Sequence, residues 1–294
     1  MTSRTIKEAL QGASFYLKET GIENPRKEAE YLLARIMKLD RLQLLLRQDE
    51  NISPEINEAF QDAVRRRSLE EPAAYIAGEK YFYGNRFMVN SDVLIPRPET
   101  ELIVDLALGK AGWVKAGPNK RISCADLGTG SGALAVTLAL LLSDSEVWAV
   151  DISEAALQVA RLNAHNHGVH GRIRFFRGNF FEAFDHLIEK PKFDLVVSNP
   201  PYLDKKEIKD LPKGVKDYEP LRALDGGPDG LESYRRILGR LEEYAAAPAV
   251  LLMEAGAGRK QEIEALCSET GLFSLINWHN DLNGWPRVIE GTMP

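Results

Sequence analysis

Phe193-Asp194-Leu195-Val196-Val197-Ser198-Asn199-Pro200-Pro201-Tyr202 changes character at its midpoint. The first half is a short apolar run, with the length and composition of a buried parallel strand. The second half cannot continue a ladder, because proline has no N–H to donate. Asn199 and Pro200 each precede a proline, which pushes both toward extended backbone and stiffens the segment. The Asn199 carboxamide and the Pro200 carbonyl are therefore two acceptors at the carboxyl end of a strand, where open α/β sheets bind ligands. Two acceptors beside the aromatic face of Tyr202 suit a planar NH2 group. A proline turn that merely ends a strand accounts for the same residues, so the flanking chain has to decide.

On both sides of this stretch, strands and helices alternate. Upstream, residues 122–127, 147–150 and 174–176 read as strands, and 133–142 and 154–166 as helices. Downstream, 231–244 reads as a helix, 249–253 as a strand and 261–270 as a helix, with 272–278 and 285–289 as a closing antiparallel pair. This alternation predicts a parallel sheet covered on both faces. The segment 203–229 has no such pattern and is rich in lysine at its start. Residues 95–101 lead into a helix that breaks at Gly117-Pro118-Asn119. Residues 81–89 read as a hairpin with Gly84-Asn85 at its turn. Before it, Ile6, Leu10, Ala13 and Leu17 recur at helical spacing, and Asn24-Pro25, Asp40 and Ser53-Pro54 are helix-start signals. The organisation expected is a helical domain over 1–70, a connector with a β-hairpin over 71–94 and an α/β domain over 95–294.

Composition narrows the class. Of the 294 residues, 44% are hydrophobic and 27% charged, which is ordinary for a soluble globular protein. No apolar run approaches the ~20 residues of a membrane span. The N-terminus enters a helical pattern without the apolar core of a signal peptide, so a cytoplasmic location and no membrane partner are expected. The two cysteines, Cys124 and Cys267, lie far apart in apolar contexts and do not form a disulfide or metal framework. His165, His167 and His170 lack partners at ligand spacing, so no metal is expected. The net charge of −6 disfavours broad nucleic-acid binding, and residues 1–90 carry 14 basic and 14 acidic side chains, a poor grip for DNA.

Asp126-Leu127-Gly128-Thr129-Gly130-Ser131-Gly132 lies between the first strand of the alternation and its helix. Glycines let the backbone approach a ligand, and the helix start presents free N–H groups. Asp151 ends the next strand, 21 residues after Gly130, where a carboxylate accepts from ribose hydroxyls. Gly128-x-Gly130-x-x-Ala133 also fits the dinucleotide fingerprint, so NAD and a dehydrogenase are a rival reading. Two features separate them. The chain offers no well-placed His or Tyr-Lys pair as the general acid of a hydride transfer. Asp126, inside the loop, repels pyrophosphate and suits the cationic methionine end of S-adenosyl-L-methionine. With Asn199 to Tyr202 on a later strand, this is the layout of an amino-group methyltransferase.

Gly128 to Gly132, Asp151 and Asn199 to Tyr202 resemble the class I S-adenosylmethionine-dependent methyltransferases of planar nitrogens. Three blocks narrow the resemblance: Pro72 to Gly78 with Phe82-Tyr83-Gly84, then Leu94 to Glu101, then Glu219-Pro220 through Leu231. They are similar to the HemK/PrmC family, over nearly the whole chain from residue 72. The resemblance implies a Rossmann-like methyltransferase sheet and methyl transfer to the glutamine N5 of the Gly-Gly-Gln loop of peptide chain release factors, which modulates translation termination. A monomer is expected, and the charge balance argues against a direct nucleic-acid partner. An N6-adenine or guanine-N2 nucleic-acid methyltransferase is the alternative, since those bases also offer a planar NH2. Carried over, Asp126, Gly128, Thr129, Gly130, Ser131, Gly132, Asp151, Asn179, Phe180 and Asn199 hold the cofactor. Asn199, Pro200, Pro201 and Tyr202 hold the substrate amide, with Asn199, Pro200 and Tyr202 in the catalytic role. The family often has Asp at the position of Asn179, whose carbonyl is still an acceptor for the adenine amino group.

Overall fold

The computed structural model describes residues 4–114 and 121–294. Met1 to Ser3 and the expected break at Gly117-Pro118-Asn119 lie outside the described residues. Contacts divide the chain into two compact units, Met1–Glu79 with Pro212–Tyr218, and Lys80–Leu211 with Glu219–Pro294.

The first unit is helical. Its helices are Ile6–Glu19, Pro25–Met37, Arg41–Leu46, Pro54–Ser68 and Ala73–Ala77. Ile6, Leu10, Leu17, Leu33, Phe60 and Val64 form its core. Thr5 and Glu8 close a capping box on the first helix, and Asp40 and Gln43 do so on the third. Ser53 accepts from Ile56 N as expected. Asn24 does not cap with its side chain; its backbone is left-handed, with φ 50°. The side chain cannot reach the N–H groups from there, and Pro25 alone starts the helix. Pro212–Tyr218 belongs to this unit, and Tyr218 Oη donates to Leu69 O at 3.1 Å.

The second unit is built on a seven-stranded sheet. Its order is Leu275–Asn280, Pro286–Met293, Ala245–Glu254, Phe193–Ser198, Ile122–Leu127, Ser145–Asp151, Ile173–Arg177. Only Pro286–Met293 runs against its neighbours. From Ile122–Leu127 the chain winds outward through two strands on one side, then crosses to Phe193–Ser198 on the other. The order reverses between these two central strands, and the crevice at their carboxyl ends is where such a fold takes a ligand.

The strands read as continuous apolar runs because both faces are covered. Leu195 and Val197 face one core with Ile103, Val104 and Leu134; Val196 faces the other with Tyr234, Ile237 and Ile263. The alternation is the period of two that a pleated strand imposes.

Several boundaries differ from the sequence reading. The hairpin pairs Glu79–Phe82 with Asn85–Met88, so Tyr83 and Gly84 form the turn rather than Gly84 and Asn85. Both have positive φ, 48° and 72°, which a two-residue turn matched to strand twist requires. The 231–244 helix is two pieces, Glu232–Leu238 and Leu241–Tyr244, interrupted at Gly239. The strand expected at 249–253 begins at Ala245. Residues 203–229 contain the short helices Lys205–Lys209 and Lys213–Lys216, the first capped by Asp204 and Glu207.

Candidate active site

The glycine loop starts where Ile122–Leu127 ends. Asp126 is fully buried beneath it. Its Oδ2 accepts from Thr129 Oγ1 at 2.6 Å and from Ala135 N at 3.0 Å, so the carboxylate ties the loop to the first turn of the next helix. Its Oδ1 has no hydrogen-bond partner among the described residues. Burial pushes the Asp126 carboxyl up to about 7, the two hydrogen bonds pull it back, and nearby Asp151 raises it. Gly132 supports the loop differently: with φ 80°, a Cβ there would stand 3.0 Å from Ala160 Cβ. It lets two helices approach and does not line the cavity.

Asp151 ends the adjacent strand. Its Oδ2 accepts from Gly130 N and its Oδ1 from Ser153 N, both at 2.9 Å. Each oxygen keeps lone-pair capacity toward the cavity. Burial raises its carboxyl, against the backbone N–H groups of Ser153 and Gly130 that lower it. Ser153 caps the following helix through Ala156 N, which leaves Asp151 free of that task.

A cavity of about 370 Å³ opens over these strand ends. Gly128, Gly130, Asp151, Asn179, Phe180, Asn199 and Pro201 all line it. A smaller space of about 50 Å³ continues inward past Thr129, Ser131, Asn199 and Thr100 to Asp126. Phe180 holds a positive φ of 52°, a strained position for a bulky residue that packing must enforce. The outer wall comes from Pro220, Arg222, Ala223, Gly227 and Ser233.

Pro200 is buried, and neither it nor Tyr202 lines either cavity. The Tyr202 ring lies on Gly256, where a Cβ would approach Tyr202 Cδ2 to 2.8 Å. Its hydroxyl is pushed up by burial and by Glu254. Among the described residues no group of three metal-ligating side chains occurs, and no helix is long and apolar enough to cross a membrane.

Several residues of the site carried no signal of their own in the sequence. Asn199 Nδ2 donates to Thr100 Oγ1 at 2.9 Å, and Thr100 Oγ1 donates to Glu254 Oε2 at 2.6 Å. Burial pushes the Glu254 carboxyl up to about 7, with Thr100 and Arg287 pulling it back. Buried Asn163 bonds both Met88 N and O of the hairpin and Ser131 O of the glycine loop. A mid-helix asparagine at an apolar-periodic position is the one clue that pattern reading offers for it.

A family model described as the PrmC N-terminal domain matches residues 8–78, and one described as a methyltransferase domain matches residues 118–270. The chain is 39% identical to the release factor glutamine methyltransferase of Geobacter sulfurreducens, over 98% of this chain and 96% of that one. Identity to the protein of the same name from Chlorobaculum tepidum is 40%, over 97% and 96%. The chain belongs to the release factor glutamine methyltransferase family. Among solved structures, the hMettl16 catalytic domain in complex with MAT2A 3'UTR hairpin 1 superposes with a TM-score of 0.57 at 13% identity, covering 83% of each chain. A methyltransferase from Pyrococcus furiosus superposes at 0.51 and 14%, over 72% of this chain and 91% of that one. These last two show the methyltransferase fold.

The blocks that carried the family resemblance meet in space. Glu101 Oε1 accepts from Tyr83 N at 2.7 Å, joining the proline-rich block to the hairpin turn. Glu219 Oε1 accepts from Arg97 Nη2 at 2.6 Å, and its Oε2 from Ile95 N at 3.2 Å. The proline-rich block therefore braces the hairpin, the outer wall and Asn199 at once.

Proposed function

We propose that this chain transfers the methyl group of S-adenosyl-L-methionine to the side-chain N5 of the glutamine in the Gly-Gly-Gln loop of peptide chain release factors. The observation that carries this reading is the identity to release factor glutamine methyltransferases over nearly the full length of both chains. The likeness to a domain solved with an RNA hairpin supports only the fold, so the nucleic-acid alternative gains nothing from it. The proposed active form is a monomer. Release factors work with ribosomes, so the proposed place of action is the cytoplasm.

The site suits the cofactor on its own evidence. The orphaned Oδ1 of Asp126 is an unmet acceptor at the inner cavity, suited to the cationic methionine end. Asp151, Asn179 and Phe180 stand at the outer cavity, where a ribose and an adenine find acceptors and an aromatic face. The loop backbone of Gly128, Thr129, Gly130 and Ser131 completes the cradle, with Gly132 in the packing role described above. When bound, S-adenosylmethionine supplies an electrophilic methyl group on a cationic sulfur.

The remaining work falls to the chain. An amide nitrogen is a weak nucleophile, because its lone pair is delocalised into the carbonyl. Asn199, which lines the cavity, accepts an amide N–H at Oδ1, orients the nitrogen and faces the positive charge that develops on it. The nitrogen gives up one proton as S-adenosylhomocysteine leaves. Pro200, buried behind, stiffens the segment. Tyr202, packed on Gly256, backs the Pro200-Pro201 segment and keeps Asn199 in place. Residues 1–70 serve substrate recognition, 71–94 connect, and 95–294 catalyse.

Purified protein should transfer a labelled methyl group from S-adenosylmethionine to a bacterial-type release factor. It should not label that factor with its loop glutamine changed to alanine. A variant lacking residues 1–70 should bind cofactor and label poorly. Label entering DNA or ribosomal RNA instead, with release factors untouched, would overturn the assignment.

The Asp126 carboxyl gives a second test. Its folded-state value lies above that of an exposed aspartate, so it adds stability to the cofactor-free protein in acid. That stability is lost as pH rises through about 7. A cationic ligand favours the ionised form. Cofactor affinity should therefore rise with pH, by up to about tenfold per unit below 7. Calorimetry at pH 6 in buffers of different ionisation heat should show about one proton released on binding. Asp126→Asn should abolish that release; unchanged release in the variant would assign it elsewhere.

A further inference from the structure

Behind Asn199, three stretches far apart in sequence meet in one hydrogen-bonded chain. Thr100 closes the short 3-10 turn Pro98–Thr100. Asn199 directly follows Phe193–Ser198. Glu254 ends the neighbouring parallel strand, where Met253 stands in register with Ser198. Thr100 is 5% exposed and Glu254 1%, so bulk water does not compete for either group.

We propose that Thr100 and Glu254 are positioning residues that fix the direction of the Asn199 carboxamide, so that Oδ1 and not Nδ2 meets the substrate's NH2 group. This rests on the methyl-transfer reading above. A threonine hydroxyl carries one proton. With Glu254 ionised, Thr100 commits it to Glu254 Oε2 at 2.6 Å, within the range of about 2.5–2.7 Å for an O–H donor on a carboxylate. The Thr100 oxygen is then an acceptor only, and it takes Asn199 Nδ2 at 2.9 Å. A reversed carboxamide would set two acceptor oxygens against each other beside a third in Glu254. With Nδ2 held inward, Oδ1 is the end left for the cavity that Asn199 lines.

The direction matters because the two ends of a carboxamide are nearly the same shape and opposite in hydrogen bonding. An Asn199 NH2 presented to a glutamine NH2 pairs donor with donor. The substrate would enter the same space and lose the contact that orients its nitrogen. Glu254 acts at one remove: it lines neither cavity, and it works by claiming the one proton that would let Thr100 donate to the wrong end, Oδ1.

Thr100→Val keeps the side-chain shape and removes the hydroxyl, whereas Thr100→Ser keeps the hydroxyl and removes a methyl. Thr100→Val should lower kcat for release-factor methylation by about tenfold or more, as loss of a preorganised contact does. Its affinity for S-adenosylhomocysteine should stay within about threefold, and Thr100→Ser should recover kcat to within about threefold of wild type. A packing role predicts the opposite order, with Thr100→Ser the worse variant, and that order would overturn the inference. If Thr100→Val no longer binds S-adenosylhomocysteine, Thr100→Val with Glu254→Leu takes its place. The double variant leaves no buried carboxylate unpaired and carries the same expected kcat loss. The Asn199 side-chain NH2 resonances, identified by their loss in Asn199→Ala, give a readout without substrate. They should shift in Thr100→Val and return in Thr100→Ser. Failure of the wild-type protein to label release factors would sink the methyl-transfer reading alone. Unmoved Asn199 resonances would sink the positioning role whatever the substrate.

Discussion

Asn199→Ala is expected to cut methyl transfer to the release-factor glutamine by ~10²-fold or more, on the scale set by removing one preorganised donor or acceptor from a reacting centre. The Asn199 carboxamide lines the cavity and is held from behind by Thr100, so its rotamer is fixed before the substrate arrives. An acceptor that needs no reorganisation stabilises developing charge more than a mobile one. Alanine also leaves Thr100 Oγ1 without its donor, but that oxygen keeps its bond to Glu254, so the fold should survive. Cofactor affinity should change little, because Asp126, Asp151 and the glycine loop are untouched. The measurement is single-turnover transfer at saturating cofactor, beside calorimetric binding of S-adenosylhomocysteine. Turnover near that of the wild type would remove Asn199 from the reaction.

The second large effect is expected from Gly230→Ala. Gly230 has a φ of 74°, and a Cβ there would stand 2.5 Å from the Tyr202 carbonyl oxygen. Gly226 makes the same kind of approach, 2.8 Å from Tyr202 Cα. The outer wall thus packs backbone to backbone against the segment that follows Asn199-Pro200-Pro201. Alanine at 230 brings both left-handed strain and a clash that only backbone movement relieves, a loss of about 2 kcal/mol or more. Gly284→Ala separates the two contributions. Its φ is 83°, and nothing lies within 4 Å of a Cβ there, so only the strain of about 1 kcal/mol remains. Denaturant unfolding should show Gly230→Ala at least twice as costly as Gly284→Ala. Methyl transfer should fall in Gly230→Ala alone. Equal losses in both variants would mean that the wall does not support the Asn199 loop.

Much of the site was legible because it depends on local rules. Proline ends a strand wherever it falls, and the Ser198-Asn199-Pro200 junction is found as read. Glycines at a strand-to-helix turn and an acidic residue at the end of the next strand are short-range features. They appear in place, with Ile122–Leu127 and Glu154–Asn166 matching to the residue. The hairpin was legible and its turn was not, because Tyr83 takes a positive φ that a glycine-based rule assigns to Gly84 and its successor.

What the sequence determined by itself was therefore the set of elements, the residue types at their ends and the family blocks. The tertiary structure decided which of those ends meet. Asn199 finds Thr100 across 99 residues, and Thr100 finds Glu254 across 154. Strand order brings Asn199 and Glu254 together at the strand ends, and the turn Pro98–Thr100 packed over them adds Thr100. No periodicity in one stretch encodes its partner in another. The same holds for Asp151, which pins Gly130 as well as facing the cavity, and for Tyr202, which turns to Gly256. It also holds for Pro212–Tyr218, which packs with the helical unit although it lies within the α/β segment of the chain. Propensity and periodicity act over a few residues, whereas these contacts depend on the free energy of burying and pairing groups that only the closed sheet brings together.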